Sequence, residues 1–351
     1  MNSNKNRIFH LLSSNSFSGA ENVVCQIINL LKEKYDFYYV CPKGQIEESL
    51  RERNINYIPV ESFNIKCIRK VLKYYKPHIL HAHDISASVL ACAATIGLDI
   101  KVISHVHVNN NNMRFFNKKT LLYFISSFRF RHIFWVSPSC YEFFFFKNMV
   151  KNKSTILPNV MNYEDIIRRA KIDDSAIGYD VVYVGRITYQ KNPERLINVM
   201  KKLKEMKPDI SMAIVGDGDL FKNTKELSEE YGLNNNLVFY GFHSHPLGIL
   251  SKSKVMIMTS RFEGLPMTVL EAMALGIPVV STPVDGLKDI IEPGVEGYLD
   301  DSDADIVSHI YELINNEGMR TDMSNNAKAK FNTICDLTRY RNIIDQIYTR
   351  K

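Results

Sequence analysis

No two of the six cysteines stand as a C-x-x-C pair or at a zinc-like spacing. Cys25, Cys41, Cys67, Cys92, Cys140 and Cys335 therefore read as buried or inert thiols of a reducing compartment, which excludes a disulfide framework. No stretch approaches the ~18–20 consecutive apolar residues that span a bilayer, so no transmembrane helix is expected. The opening MNSNKNRIFHLLSS has no apolar signal-peptide core, and a cytoplasmic protein, at most at the inner face of the membrane, is expected. Low-complexity tracts and internal repeats are missing too. So is a glycine-rich dinucleotide fingerprint. The nearest match, GDGDLF at Gly216–Phe221, lacks the third glycine and comes late in the chain, which argues against a dinucleotide-dependent oxidoreductase.

What the chain has is ordinary globular material: 45% apolar and 23% charged residues over 351 positions, more than one core usually fills. Its net charge of +6 is unevenly spread. Through residue 165 there are 21 Lys and Arg against 12 Asp and Glu, and beyond it 23 against 26. The first part also holds 24 of the 38 aromatics, so an anionic partner or surface belongs to that half. No nucleic-acid-binding module accompanies the charge, and nucleic acid is not expected as a partner.

Short apolar runs alternate with helical patterns throughout. Strands are expected at Arg7–Leu12, Phe37–Cys41, Ile79–Ala82, Lys101–His105, Ile133–Val136, Asp180–Val184, Met212–Val215, Leu237–Tyr240, Val255–Met258 and Pro278–Ser281. Ala20–Leu31 puts Val23, Val24, Ile27, Leu30 and Leu31 on one helical face. Alternating β and α elements imply parallel sheets with helices on both faces, here two Rossmann-like doubly wound domains in tandem. A charged, weakly periodic stretch at Leu157–Gly178 marks the boundary. The expected division is 1–162 for an acceptor-side domain and 163–334 for a donor-binding domain, with a C-terminal helix at about 335–351 packing back on the first. Ligands of open α/β sheets bind at the carboxyl ends of the strands, so a cleft there is the expected site, with the polar run Asn109–Asn112 as a loop near it.

Three segments of the second half carry the chemistry. In VYVGRITYQKNP, Val182–Pro193, a strand ends at Val184, Gly185 permits a turn, and Arg186 and Lys191 follow five apart. A fork of donors and a compact cation past a strand end suit a diphosphate and the negative charge that builds as it leaves. In SRFEGLPMTVLE, Ser260–Glu271, Gly264 lets backbone amides approach a ligand, and Pro266 suits a first helical turn. The amides near Leu265–Met267 then cradle phosphate. Glu271, eight residues after Glu263, lies one to two turns into that helix, where a carboxylate accepts from ribose hydroxyls. In IVGDGDL, Ile214–Leu220, Gly216 and Gly218 make a tight strand-to-loop turn beside the same site.

In order, VGR with K-N-P after it, G-D-G, FYGF at Phe239–Phe242, E-G-L-P with its later Glu, S-T-P-V-D-G and E-G-Y-L resemble the family-4 glycosyltransferases of the GT-B fold. The resemblance spans essentially the whole chain, most strongly Asp180–Leu299. It implies a retaining, metal-independent transfer from a nucleotide diphosphate sugar, UDP- or GDP-linked, with no cofactor. The acceptor is a glycan or lipid-linked, and surface polysaccharide synthesis is the implied setting. It implies Arg186 and Lys191 on the diphosphate, Glu263 near the donor sugar and Glu271 at the ribose. Retention commonly uses a carboxylate nucleophile; none is well placed besides Glu263, and the resemblance implies reaction on one face, the leaving phosphate helping to deprotonate the acceptor.

The first half departs more from that pattern. SGAE, Ser18–Glu21, occupies the place of a G-G-x-E loop, with Ser18 for the first glycine; Gly19 is left to approach the donor, or Ser18 simply caps a helix. PNVMN at Pro158–Asn162 replaces the glycine and aspartate of P-N-G-[IV]-D. Histidines cluster as HAHD (His81, His83) and SHVH (His105, His107). The resemblance places a sugar-contacting histidine after the second of these strands, and His105 fits best; His81 and His83 read as structural. A metal is not expected, because no third ligand stands out and successive strand side chains point to opposite faces. Arg114–Arg131 and Tyr141–Lys153 mix cations with aromatics; they read equally as peripheral contacts with an anionic membrane and as core helices with solvated lysines. Rival functions are a GT-B nucleotide-sugar epimerase, a phosphorylase, whose cofactor lysine context is missing, and a non-catalytic partner subunit, which has no need to retain Arg186, Lys191 and Glu271. A metal-binding D-x-D reading of Asp217 and Asp219 is opposed by their place in a G-D-G turn.

Overall fold

A computed structural model describes residues 5–16, 19–108, 111–172 and 177–350. Ser18 and the first half of the Asn109–Asn112 run lie outside them. The chain divides into two compact units, residues 1–159 with 337–351, and residues 160–336.

The first unit is built on seven parallel strands: β1 (Arg7–Leu11), β2 (Asp36–Pro42), β3 (Tyr57–Val60), β4 (Ile79–His83), β5 (Lys101–Val106), β6 (Phe130–Trp135) and β7 (Ser154–Ile156). Their order in the sheet is β3-β2-β1-β4-β5-β6-β7. The second has six: β8 (Val181–Val184), β9 (Met212–Val215), β10 (Leu237–Gly241), β11 (Val255–Met258), β12 (Val279–Ser281) and β13 (Gly297–Leu299), ordered β10-β9-β8-β11-β12-β13. Every pairing is parallel. Central strands such as β8, β9 and β11 are buried along their whole length, as near-continuous apolar runs must be when helices cover both faces.

Strand order reverses between β1 and β4 in the first sheet and between β8 and β11 in the second. These are the topological switch points, where crossovers leave in opposite directions and open a crevice at the carboxyl ends of the strands. All ten expected strands are present within a residue or three at each end. The additions are mostly edge strands of three or four residues, too short for a periodic signal.

The C-terminal helix Leu337–Thr349 belongs to the first unit. Its buried Tyr340, Ile344 and Tyr348 recur every fourth residue, one face of a helix. Asp345 on another face pairs with Lys34 at 2.7 Å and accepts from the Tyr35 hydroxyl at 2.7 Å. The Arg114–Arg131 region divides. Tyr123 is fully buried, whereas Phe115, Phe116, Leu122, Ile125 and Phe128 are exposed. No helix among the described residues is long and apolar enough to cross a membrane.

Candidate functional site at the strand ends

In the second unit the switch-point strands end in the motif loops. Past β8, Gly185 and Ile187 donate to the Val215 and Asp217 carbonyls of the G-D-G loop at 3.0 Å each. Gly216 lies over Gly185: its φ is 142°, and a Cβ there would stand 1.9 Å from the Gly185 carbonyl oxygen. Glycine at 216 thus supports the VGR turn, and that is the role the geometry gives it. The Tyr183 hydroxyl, donating to the Arg186 carbonyl at 2.8 Å, fixes the turn from beneath and leaves the Arg186 side chain exposed.

The K-N-P segment is held from two sides. Asn192 adopts the left-handed region at φ 54°, which asparagine tolerates, and Pro193 opens the helix Pro193–Met206 at its first position. Thr259, just past β11, donates to the carbonyls of Lys191 and Asn192 at 3.1 Å each. This clamp brings the Lys191 ammonium 2.6 Å from Glu263, with side-chain exposures of 13% and 7%. Gln190 adds a 3.3 Å hydrogen bond to the other Glu263 oxygen and a 3.0 Å bond to the Phe262 carbonyl. An ion pair this dry stands only because it is satisfied. Deleting one partner of such a pair costs about 3–5 kcal/mol.

The helix Met267–Leu275 follows Pro266 directly, so the amides of its first turn have no partners within the helix. Gly264, Leu265 and Pro266 are buried in the approach to it. A Cβ on Gly286 would meet the Gly264 carbonyl oxygen at 1.2 Å, which explains the glycine of S-T-P-V-D-G. Glu271 sits just over one turn in. Burial pushes its carboxyl up to about 7, against the pull of Arg169, whose guanidinium lies 3.4 Å away. Gln190 lies inside VYVGRITYQKNP without a signal of its own, and Arg169 belongs to none of the motifs read in the sequence. Its only sequence signal is the basic end of the helix Tyr163–Ala170.

Lys191 and Glu263 are thus brought together, Glu271 meets Arg169, and Arg186 and the glycines lie in the loops past β8, β9 and β11. Gly19 and His105 belong to the first unit. Gly19 is the exposed first residue of the helix Gly19–Leu31.

His105 lies inside β5 and is fully buried, whereas His107, one residue past the strand, is 6% exposed. The strand-end position therefore belongs to His107. The four motif histidines also converge, since the alternation that separates successive side chains brings residues two apart together. Residues two apart share a strand face, and the register sets His83 beside His105 and His10 beside His81. His10, unremarkable in sequence, completes the cluster. His10 Nδ1 and His83 Nε2 are 2.9 Å apart, His83 Nδ1 and His107 Nε2 2.8 Å, and His81 Nδ1 meets the Tyr348 hydroxyl at 2.7 Å. Burial lowers all five, His10 to about 3 and His81, His83 and His105 well below the usual range, with the neighbouring imidazoles adding to it in four; on His107 the Asp84 carboxylate opposes burial.

Known proteins share both the sequence and the fold. Residues 17–165 match the family Glycosyltransferase Family 4, and residues 167–330 match Glycosyl transferases group 1. A lipopolysaccharide 1,6-galactosyltransferase of Escherichia coli K12 is 24% identical over 302 residues, covering 81% of each chain. A capsular polysaccharide biosynthesis glycosyltransferase, CapH, of Staphylococcus aureus is 26% identical over 296 residues, 79% of this chain and 81% of its own. The structure of Anabaena Alr3699/HepE in complex with UDP and glucose superposes with a TM-score of 0.84 over 98% of this chain and all of that one, at 18% identity. The two sheets and their order are those of the GT-B architecture. With two family models matched end to end and the motif loops in place at the switch point of the second sheet, the chain belongs to the family-4 glycosyltransferases.

Proposed function

We propose that the protein is a retaining hexosyltransferase that moves a sugar from a UDP- or GDP-linked donor to a glycan or lipid-linked acceptor in surface polysaccharide synthesis. The observation that carries the donor site is the convergence of Lys191, Glu263 and the Glu271–Arg169 pair around the start of the helix Met267–Leu275. Lys191 gives one of its three donors to Glu263 and keeps the rest for the diphosphate, with Arg186 and the first-turn amides beside it. Glu271 accepts from the ribose hydroxyls. The polysaccharide setting rests on the names of the E. coli and S. aureus relatives, and a UDP-linked donor is favoured by the UDP in the Anabaena complex.

In the reaction, the bond from the anomeric carbon to the phosphate oxygen breaks. The acceptor oxygen bonds that carbon on the same face, and its proton passes to the departing phosphate. Arg186 and Lys191 stabilise the charge that develops, so no metal ion is needed on the diphosphate and no cofactor takes part. Phe115, Phe116 and Phe128 and the neighbouring Lys118, Lys119 and Arg129 are all exposed, a basic aromatic segment suited to an anionic bilayer, where a lipid-linked acceptor would be met.

The test is thermal stabilisation by a panel of nucleotide sugars, since specific binding raises the apparent stability of the folded state. One donor should raise the melting temperature in a buffer without added Mg²⁺ or Mn²⁺. No shift with any member, or a shift only with added metal, overturns the reading.

A further inference from the structure

Five histidines share one buried volume in the first unit, and glycosyl transfer in the second unit uses none of their ring nitrogens. His83, His105 and His107 each present a nitrogen within 4.8 Å of the others. Several of these atoms lack any hydrogen-bonding partner: both nitrogens of His105, His107 Nδ1, and in the same cluster the Nε2 atoms of His10 and His81. A buried polar atom without a partner costs about 1–3 kcal/mol, and native proteins carry few of them. Here they are concentrated in one cluster.

We propose that His83, His105 and His107 form a binding site for one divalent transition-metal ion of the zinc class. Three imidazoles are the donor set that zinc, cobalt and copper prefer over magnesium or calcium. The surroundings fit a metal-holding histidine triad. His83 Nδ1 and His107 Nε2 face each other at 2.8 Å, while the other nitrogen of His83 is engaged by His10 at 2.9 Å. A hydrogen bond at the far nitrogen fixes the tautomer and orientation of a ligating imidazole. Asp84 adds negative charge next to the triad. Its carboxylate accepts the His107 backbone N–H at 3.1 Å, and its own backbone is held at φ 68°, a left-handed conformation that costs energy for a residue with a side chain. The neighbouring triad, His10, His81 and His83, is closed off: His81 is engaged by Tyr348 and all three are buried to 1% or less. His107, at 6%, lies nearest the surface and marks the way in.

The site is tested on the full-length protein stripped with a chelator and dialysed. Co²⁺ is then titrated and read by visible absorption, and Zn²⁺ by metal analysis and melting temperature. The expected results are one ion per chain, an intense Co²⁺ band between about 500 and 650 nm typical of four- or five-coordination, and a melting temperature raised by several degrees with Zn²⁺. His105→Phe and His107→Gln should each lower cobalt affinity at least tenfold, whereas His81→Phe, in the other triad, should leave the band in place. Wild-type protein with well under 0.1 ion per chain and no cobalt band overturns the proposal, as does a band that survives both His105→Phe and His107→Gln. A band lost only in His81→Phe assigns the ion to the deeper triad and equally overturns it.

Discussion

The crevice between β8 and β11 is built from charge: the Lys191–Glu263 pair, the Arg169–Glu271 pair and an exposed Arg186. The equivalent crevice at β1, β4 and β5 is built from five buried imidazoles, with Asp84 as the acid among them. Both lie at the switch point of a doubly wound sheet, so topology sets where each site is and side chains set what it does. Fixed charges stand at the one switch point and uncharged ring nitrogens at the other.

The contrast is broken most directly by acid. Each histidine in the first crevice has its folded value depressed below the unfolded 6.5, so the neutral form contributes stability that is complete above pH 6.5. That stability is lost as pH falls toward the folded values, about 3 for His10. The loss is roughly 1.4 kcal/mol per pH unit for each such group, so in chelator-treated protein amide exchange of β4 and β5, relative to the intrinsic rate, should accelerate steeply between pH 6.5 and 4.5. Equal acceleration in β8 and β11 would erase the difference between the crevices.

Lys191→Ala probes the charged side. Turnover should fall ~10²-fold or more through lost stabilisation of the leaving group, and stability should fall too, because Glu263 is left buried and unpaired. Pairing Lys191→Met with Glu263→Gln should recover the melting temperature while turnover stays low. Recovery of turnover in the double variant would mean that the lysine serves only its partner.

Gly216→Ala forces a Cβ against the Gly185 carbonyl and should cost about 1–3 kcal/mol, with nucleotide affinity falling as the VGR turn shifts. Unchanged affinity in a destabilised protein would detach that turn from the donor site.

The mildest test uses Glu271. With its carboxyl near 7, a ribose that requires the ionised form should bind progressively less well from pH 8 to pH 6, approaching tenfold per unit below 7. Calorimetric titration of UDP should show this slope in the wild type and its loss in Glu271→Gln. The same carboxyl, raised from its unfolded value, makes the fold more stable below pH 4.5 and less so as pH rises to 7, the reverse of the histidines.

Much of the fold is legible in the sequence. Apolar runs such as VVYV and VMIM read as strands because helices bury both faces of the sheet, and the spacing from Glu263 to Glu271 placed the second acid on its helix. β3 and β13 went unseen because they are short edge strands; one holds Pro59, the other begins at Gly297. The histidine cluster went unseen because convergence depends on register. His10 is over 70 residues from its partner His83, and nothing in a single sequence aligns β1 with β4. His105 and His107 share a strand face, and their spacing alone does not say which lies nearer the surface. Arg169 stands outside every motif, and only packing brings it to Glu271.

The chain's last helix returns to the first unit, which makes residues 160–336 an insertion within it. During synthesis the second unit has all of its residues before the first does. The first unit closes only once Tyr348, 267 residues beyond His81, arrives to hold that imidazole through its hydroxyl.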